Sequence, residues 1–232
     1  MPRKIKKLCA VLGAAAVILA CPTGVRADSP ANAVYSHKEN DKMMIALTFD
    51  DGPHPRYTPQ ILDILGEYGV PATFFTVGEN AEYYPAVIKR CLDEGHEVAN
   101  HTYSHRDLSE DSYDDICREI TGGENALYEN LDVRTKLLRP PGGLYGRNLI
   151  LAAAELDYTV VLWNIDTRDW AHTPPEKIAE KVLKNIRPGD IVLMHDFIGQ
   201  DSPTPAALRM IIPELITRGY RFVTVSELLG CK

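Results

Sequence analysis

Cysteine is scarce and poorly arranged for a framework. Five cysteines are spread over 232 residues, and only Cys91, Cys117 and Cys231 lie beyond the first 27. Three is odd, so no complete disulfide set is implied. Cys91 and Cys117 are open either to pairing or to remaining separate thiols, and no spacing suits a cysteine-ligated metal. Long apolar runs are lacking too: the N-terminal one, from Leu8 to Ala20, is too short for a comfortable bilayer span. Nor is there a repeat, a low-complexity tract or a heptad pattern, so solenoid and coiled-coil architectures are excluded. Positive charge is the third shortage, with 25 Lys and Arg against 32 Asp and Glu, a net of −7. Arg3, Lys4, Lys6, Lys7 and Arg26 precede residue 28 and no acid does, so the remainder carries −12. Such a body is a poor partner for nucleic acid or an anionic membrane.

The N-terminus has the pattern of an export signal: a basic flank, the short apolar run, and Val25-Arg26-Ala27 as a cleavage-like end to a segment spanning residues 1–27. Ile18-Leu19-Ala20-Cys21 also matches a bacterial lipobox, which would make Cys21 a lipidated terminus, and an uncleaved anchor is a third possibility. Each predicts an exported globular part whose only membrane link is this N-terminus. Residues 28–41 are polar and unpatterned, and read as a linker leading into a single domain over 42–232.

From residue 43 onward, short apolar runs alternate with longer amphipathic stretches. Strands are expected at 43–49, 72–77, 96–100, 136–139, 159–164, 190–194 and 221–225, and helices near 57–68, 83–94, 112–130, 146–156, 175–186 and 205–218. That alternation predicts parallel strands with crossover helices, and seven strands predict a closed or nearly closed barrel with its site at their carboxyl ends.

Two elements at such ends carry metal chemistry. Asp50 and Asp51 follow the run Met43–Phe49, and Gly52-Pro53 turns the chain directly after them. His101 and His105 are four apart, which expects both on one face of a helical turn. One carboxylate and two imidazoles make a three-ligand set that leaves a divalent ion open to water. Two neighbouring acids repel unless a cation intervenes, and a metal on one leaves the other free as a base.

Three further motifs supply groups that act on a carbonyl. In Arg139-Pro-Pro-Gly-Gly143 the prolines remove two N–H donors, the glycines allow close approach of a ligand, and Arg139 is a fork-shaped carboxylate holder. The same residues also make an ordinary turn. Asp166-Thr-Arg-Asp169-Trp170 offers an acid to orient a histidine and an aromatic wall, while the preceding Trp163 reads as a hydrophobic anchor. A buried run from Ile191 to Met194 ends in His195-Asp196, placing a separate acid far along the chain from the other histidines.

These five elements, in this order, resemble the polysaccharide deacetylase family, carbohydrate esterase family four with its NodB-homology domain, from about Met43 to Leu229. The resemblance implies an α/β fold, a distorted (β/α)7 barrel. It implies Asp50 as general base, Asp51, His101 and His105 as ligands of a divalent metal (Zn²⁺, with Co²⁺ as the second choice), and Arg139 as the holder of the base. It further implies His195 as general acid tuned by Asp169, Gly142 as the backbone donor to an oxyanion, and Trp170 and Leu193 as walls of the acetyl pocket. Many relatives carry an aromatic residue where this chain has Gly142; Tyr145 is expected to substitute or the groove to be more open. The implied activity is N-deacetylation of N-acetylglucosamine in a cell-wall polysaccharide, peptidoglycan first, by a monomer. Chitin or chitooligosaccharides, then acetylated xylan, are the alternative substrates, and a silent wall-binding module is the alternative class.

Overall fold

The computed structural model describes residues 34–199 and 201–231. The segment read as an export signal, with its lipobox at Cys21, lies outside the described residues. β1 is Val34–Tyr35 and β2 is Met44–Asp50, followed by α1, Tyr57–Tyr68. β3 is Thr73–Thr76, α2 Gly78–Tyr83, α3 Pro85–Asp93 and β4 Glu97–Asn100. Next come α4, Tyr113–Leu131, β5, Leu137–Leu138, and α5, Arg147–Glu155. β6 is Thr159–Val161, β7 Ile165–Asp166, α6 Pro175–Asn185 and β8 Ile191–His195. The chain closes with α7, Thr204–Thr217, β9, Arg221–Phe222, and α8, Val225–Leu229.

All the strand pairs are parallel, in the order β1-β6-β5-β4-β3-β2-β8-β7, with β9 also on β2. This is the expected distorted barrel: the sheet curls, but β6 and β7 do not pair and leave a seam. Strand β2 is buried along its whole length, as a central parallel strand covered on both faces should be. Its alternate residues divide two apolar layers. Ile45, Leu47 and Phe49 pack outward against Leu62 and Leu65 of α1 and Leu208 and Ile211 of α7. Met44 and Ala46 point into the curl with Phe75, Val161 and Val223. By the same alternation Thr48 and Asp50 continue the inner face upward, so the site stands on an apolar plug.

Four local expectations are corrected. Residues 28–41 are not all linker, because Val34–Tyr35 pairs with β6 and His37 bridges to Asp190 across the seam. The strand expected at 159–164 ends at Val161 as β6, and β7 begins only at Ile165. The helix expected at 83–94 is α3, but a second helix that was not expected, α2, precedes it and ends at Tyr83, because Pro85 starts α3 and restricts the residue before it. The strand expected to run to 225 stops at Phe222; Thr224 accepts from the Glu227 N–H and caps α8 instead. Cys91 and Cys117 are free thiols. Among the described residues, no helix is long and apolar enough to cross a membrane.

Candidate active site

The site grows from the upper end of β2. Asp50 is 3% exposed, and Arg139, delivered by the segment after β5, is completely buried beside it. Four hydrogen bonds hold the Arg139 fork: Nη1 donates to Asp50 Oδ1 at 2.7 Å and Thr48 Oγ1 at 2.8 Å, Nε to Val161 O and Nη2 to Leu162 O. Its guanidinium lies 4.0 Å from the Phe75 ring centroid. A buried cation with a carboxylate and three further acceptors is compensated where a bare one would not be. Asp50 therefore has one oxygen fixed by Arg139, and Oδ2 turned toward His101, 3.8 Å from its Nε2.

Asp51 leaves the strand with a positive φ of 74°, which turns its side chain away from the direction of Asp50. Its backbone carbonyl accepts from Asn80 Nδ2 at 2.8 Å. Its carboxylate meets both histidines, with Oδ1 3.3 Å from His101 Nε2 and 2.9 Å from His105 Nε2. The histidines sit on the loop after β4 and not on a helical turn as expected: Thr102 and His105 both have positive φ, incompatible with a right-handed turn. Two left-handed residues bring the rings to 5.0 Å between centroids all the same.

This group fits a divalent ion. The three ligand atoms of Asp51, His101 and His105 lie within 4.8 Å of one another. His101 Nδ1 is 2.7 Å from the Arg139 carbonyl and carries a hydrogen there, so loss of the Nε2 proton would leave that nitrogen's lone pair free for a metal. Burial opposes ionisation of Asp51, but hydrogen bonds from His101 and His105 outweigh it and hold the carboxyl far below its usual range. The Asp51 hydrogen bond raises His105 despite its burial.

Opposite stands His195. It is the register partner of Asp50 in the β2–β8 pair, so both side chains emerge on one face of adjacent strands. Its Nδ1 is 2.7 Å from Asp169 Oδ1, and its backbone N–H donates to Asp169 Oδ2. Thr204 Oγ1 and the Trp170 N–H also donate to Asp169. Burial lowers the His195 pKa, but the Asp169 hydrogen bond and charge, then Asp50 and Asp51, push it up to about 9. Asp169 is held below its ordinary value: burial raises it, and the bond to His195 overcomes that. His195 is thus a cation at neutral pH with Nε2 aimed away from its orienting carboxylate.

Between these groups lies a cavity of about 280 Å³ lined by Asp50, Asp51, both metal-type histidines and His195, with Gly142, Trp163, Asp166, Trp170 and Leu193. Larger hollows of about 720 and 770 Å³ lie among outer helices, far from this chemistry. The structure departs from expectation at Tyr145, which is 43% exposed and does not line the cavity. Gly142 has φ 61° within the short turn Pro141–Gly143, and the chain leaves that turn outward through Leu144. Trp163, read as an anchor, takes that wall instead: a Cβ on Gly143 would stand 2.7 Å from its ring. Its signal in the sequence was its place just after a buried strand.

Sequence reasoning misses Asp196 as well. It is buried, its N–H donates to the Asp50 carbonyl, and Thr58 Oγ1 donates to its Oδ2 at 2.5 Å. Burial, then Asp51 and Asp50, raise it to about 7. A Cβ on Gly52 would fall 2.1 Å from Asp196 Oδ2, so the turn after Asp51 requires glycine.

The family model for polysaccharide deacetylase matches residues 37–161. A peptidoglycan-N-acetylglucosamine deacetylase of Bacillus cereus is 44% identical over 205 residues, 88% of this chain and 96% of that one. A solved peptidoglycan N-acetylglucosamine deacetylase, in complex with 4-naphthalen-1-yl-N-oxidanyl-benzamide, superposes with TM-score 0.83 at 38% identity, covering 86% of this chain and 94% of that chain. A CE4 family pseudoenzyme from Bacillus anthracis superposes with TM-score 0.80 at 30% identity, over 88% and 70%. Sequence and barrel therefore converge, and the chain belongs to the polysaccharide deacetylase family.

Proposed function

We propose that this chain is a metal-dependent hydrolase that removes the acetyl group from N-acetylglucosamine residues of peptidoglycan. The observation that carries the reading is the facing pair: a carboxylate held by Arg139 and a cationic histidine held by Asp169, in register across one small cavity that also contains Asp51, His101 and His105. An amide needs both a base for water and an acid for its departing nitrogen, and this cavity holds one of each.

Asp51, His101 and His105 would hold the ion, and a nitrogen-rich set of this size suits zinc first and cobalt second. When bound, it supplies Lewis acidity to the amide carbonyl and lowers the pKa of water. Asp50, fixed through Oδ1, uses Oδ2 to take the proton of the attacking water. The Gly142 N–H, at the lip of the cavity, donates to the oxygen on which negative charge develops. His195 gives its Nε2 proton to the leaving nitrogen, so that an amine and not an amide anion departs. Trp163, Trp170 and Leu193 surround the acetyl methyl and exclude water from it. Each proton transfer of this kind is typically worth about 100- to 10,000-fold in rate.

A silent binding module would lack a ligand or an acid, and none is lacking here. The acidic body and basic, apolar N-terminus support an exported monomer, cut after Ala27 or lipidated at Cys21. Loss of membrane partitioning in Cys21→Ser would select lipidation, and unchanged partitioning would remove it. Acetate and new amine, counted on purified peptidoglycan and on chitooligosaccharides with zinc or with chelator, test the activity. Equal, metal-dependent yields of the two products from peptidoglycan are expected. Metal-bound protein that releases neither would refute the reading.

A further inference from the structure

The turn that presents Asp51 leans on a buried side chain with no part in the chemistry just described. We propose that Asp196 is a positioning residue for the metal site: its carboxyl occupies the space of the side chain that Gly52 lacks, and holds the turn 50–54 in the shape that brings the Asp51 carboxylate to His101 and His105. The inference rests on the reading of Asp51 as a metal ligand and deepens it by naming what sets its direction.

Asp51 leaves β2 with a φ of 74°. A residue other than glycine keeps that conformation only where its surroundings over-determine it. Two anchors come from the segment after β3: Asn80 Nδ2 donates to the Asp51 carbonyl at 2.8 Å, and the Val77 N–H donates to the Gly52 carbonyl at 2.9 Å. The third anchor is Asp196, which meets the turn at several points. Its N–H donates to the Asp50 carbonyl at 3.2 Å. Its carboxyl lies against Gly52, where the three atoms nearest to an added Cβ would be Asp196 Oδ2, Oδ1 and Cγ, at 2.1, 2.2 and 2.4 Å. Its Oδ2 accepts from Thr58 Oγ1 at 2.5 Å, and Thr58 Oγ1 accepts from the His54 N–H at 2.8 Å. One residue thus reaches both ends of the segment 50–54 and its middle.

Packing alone does not account for an acid here. Asp196 is 1% exposed, and among the described residues nothing bonds to its Oδ1. A buried oxygen without a partner costs free energy, so simple space-filling would favour an apolar side chain. What an apolar side chain could not combine is a flat group over Gly52 with an acceptor for the Thr58 hydroxyl. The role therefore asks for shape and for the acceptor at Oδ2, and asparagine offers both. Without the brace, the turn can relax and carry Asp51 away from the imidazoles. Support of this kind around a metal ligand is typically worth about 10- to 100-fold in affinity or activity.

The test measures the zinc dissociation constant of the full chain by competition with a chromophoric chelator, beside a melting curve and acetate release at saturating zinc. Asp196→Ala empties the space over Gly52 and cuts the Thr58 bond, and is expected to weaken zinc binding about tenfold or more. Its kcat at saturating zinc is expected to fall less than the affinity, because the N–H of residue 196 still holds the Asp50 carbonyl. Asp196→Asn is expected to bind zinc nearly as wild type does. Thr58→Val removes only the hydroxyl link, is expected to weaken zinc in the same direction, and serves as the probe if Asp196→Ala does not fold. Folded Asp196→Ala or Thr58→Val with a wild-type zinc constant and only a lower melting temperature would overturn the inference, while Asp51 remained a ligand. Equal weakening in Asp196→Asn and Asp196→Ala would assign the effect to charge and overturn it as well. Wild-type protein that binds no zinc would overturn both this inference and the metal reading.

Discussion

Asp169→Asn moves the alkaline limb of the pH–rate profile toward neutrality, by an amount the structure sets. His195 stands at about 9 against an ordinary 6.5. Burial alone would lower it, so Asp169 first, with Asp50 and Asp51 after it, supplies more than the whole net rise, which is worth about 3 kcal/mol at 1.36 kcal/mol per pKa unit. Without the charge on residue 169 the largest raising contributions go and the His195 pKa falls toward its ordinary 6.5, the value taken here as the limit. At pH 8 the protonated fraction then falls from about 90% to about 3%, a loss near 30-fold in the acid's contribution, whereas at pH 6 the loss stays under about twofold. The sign for stability follows the same pair. The raised pKa of His195 stabilises the fold below 6.5, and that contribution disappears as pH climbs through about 9. The lowered pKa of Asp169 stabilises above the ordinary carboxylate value of 3.8, and that part is lost on acidification. An asparagine cannot satisfy all the donors that now reach Asp169, which costs about 1–3 kcal/mol, so rates must be normalised to folded protein by a melting curve. An unmoved alkaline limb, or equal losses at pH 6 and pH 8, would refute the assignment.

Asp50→Asn keeps an acceptor for Arg139 and removes the base; kcat should fall about 100- to 10,000-fold while zinc stays bound in a metal-content assay, and full activity would disprove the role. His101→Ala should lose both, and its melting temperature should no longer respond to added zinc; retained tight zinc binding would dismiss the ligand set. Gly143→Ala meets the Trp163 ring and a φ of 70°, so denaturant unfolding should show a loss of about 1–3 kcal/mol, and an unchanged midpoint would mean the wall is looser than the geometry states.

What was legible in the sequence was whatever local pattern encodes. The apolar run ending in Asp50-Asp51 announced β2 because a strand buried on both faces has no polar interruption. The limits of α1 were visible from the amphipathic stretch between Tyr57 and Gly69, whose left-handed φ of 62° ends the helix. The metal group was visible as spacing, although two left-handed residues, and not a helical turn, realise it. Long-range relations were not legible. A strand of two residues such as Val34–Tyr35 has no signal apart from its partner, 126 positions away in register. The fit of Asp196 into the space above Gly52 and the approach of Trp163 to Gly143 are likewise facts of the assembled barrel. The cap at Thr224 differs from these, since Thr224-Val-Ser-Glu227 has the residue types and spacing that start a helix and is therefore a purely local signal.

The central claim is that His195 makes an amide cleavable at this site. An ester leaves with far less need of a proton, so wild type and His195→Ala should be compared on an N-acetylglucosamine oligomer and on an O-acetylated sugar of equal length. The account predicts a fall of about 100-fold or more on the amide and a much smaller fall on the ester. Equal losses on the two substrates would contradict it.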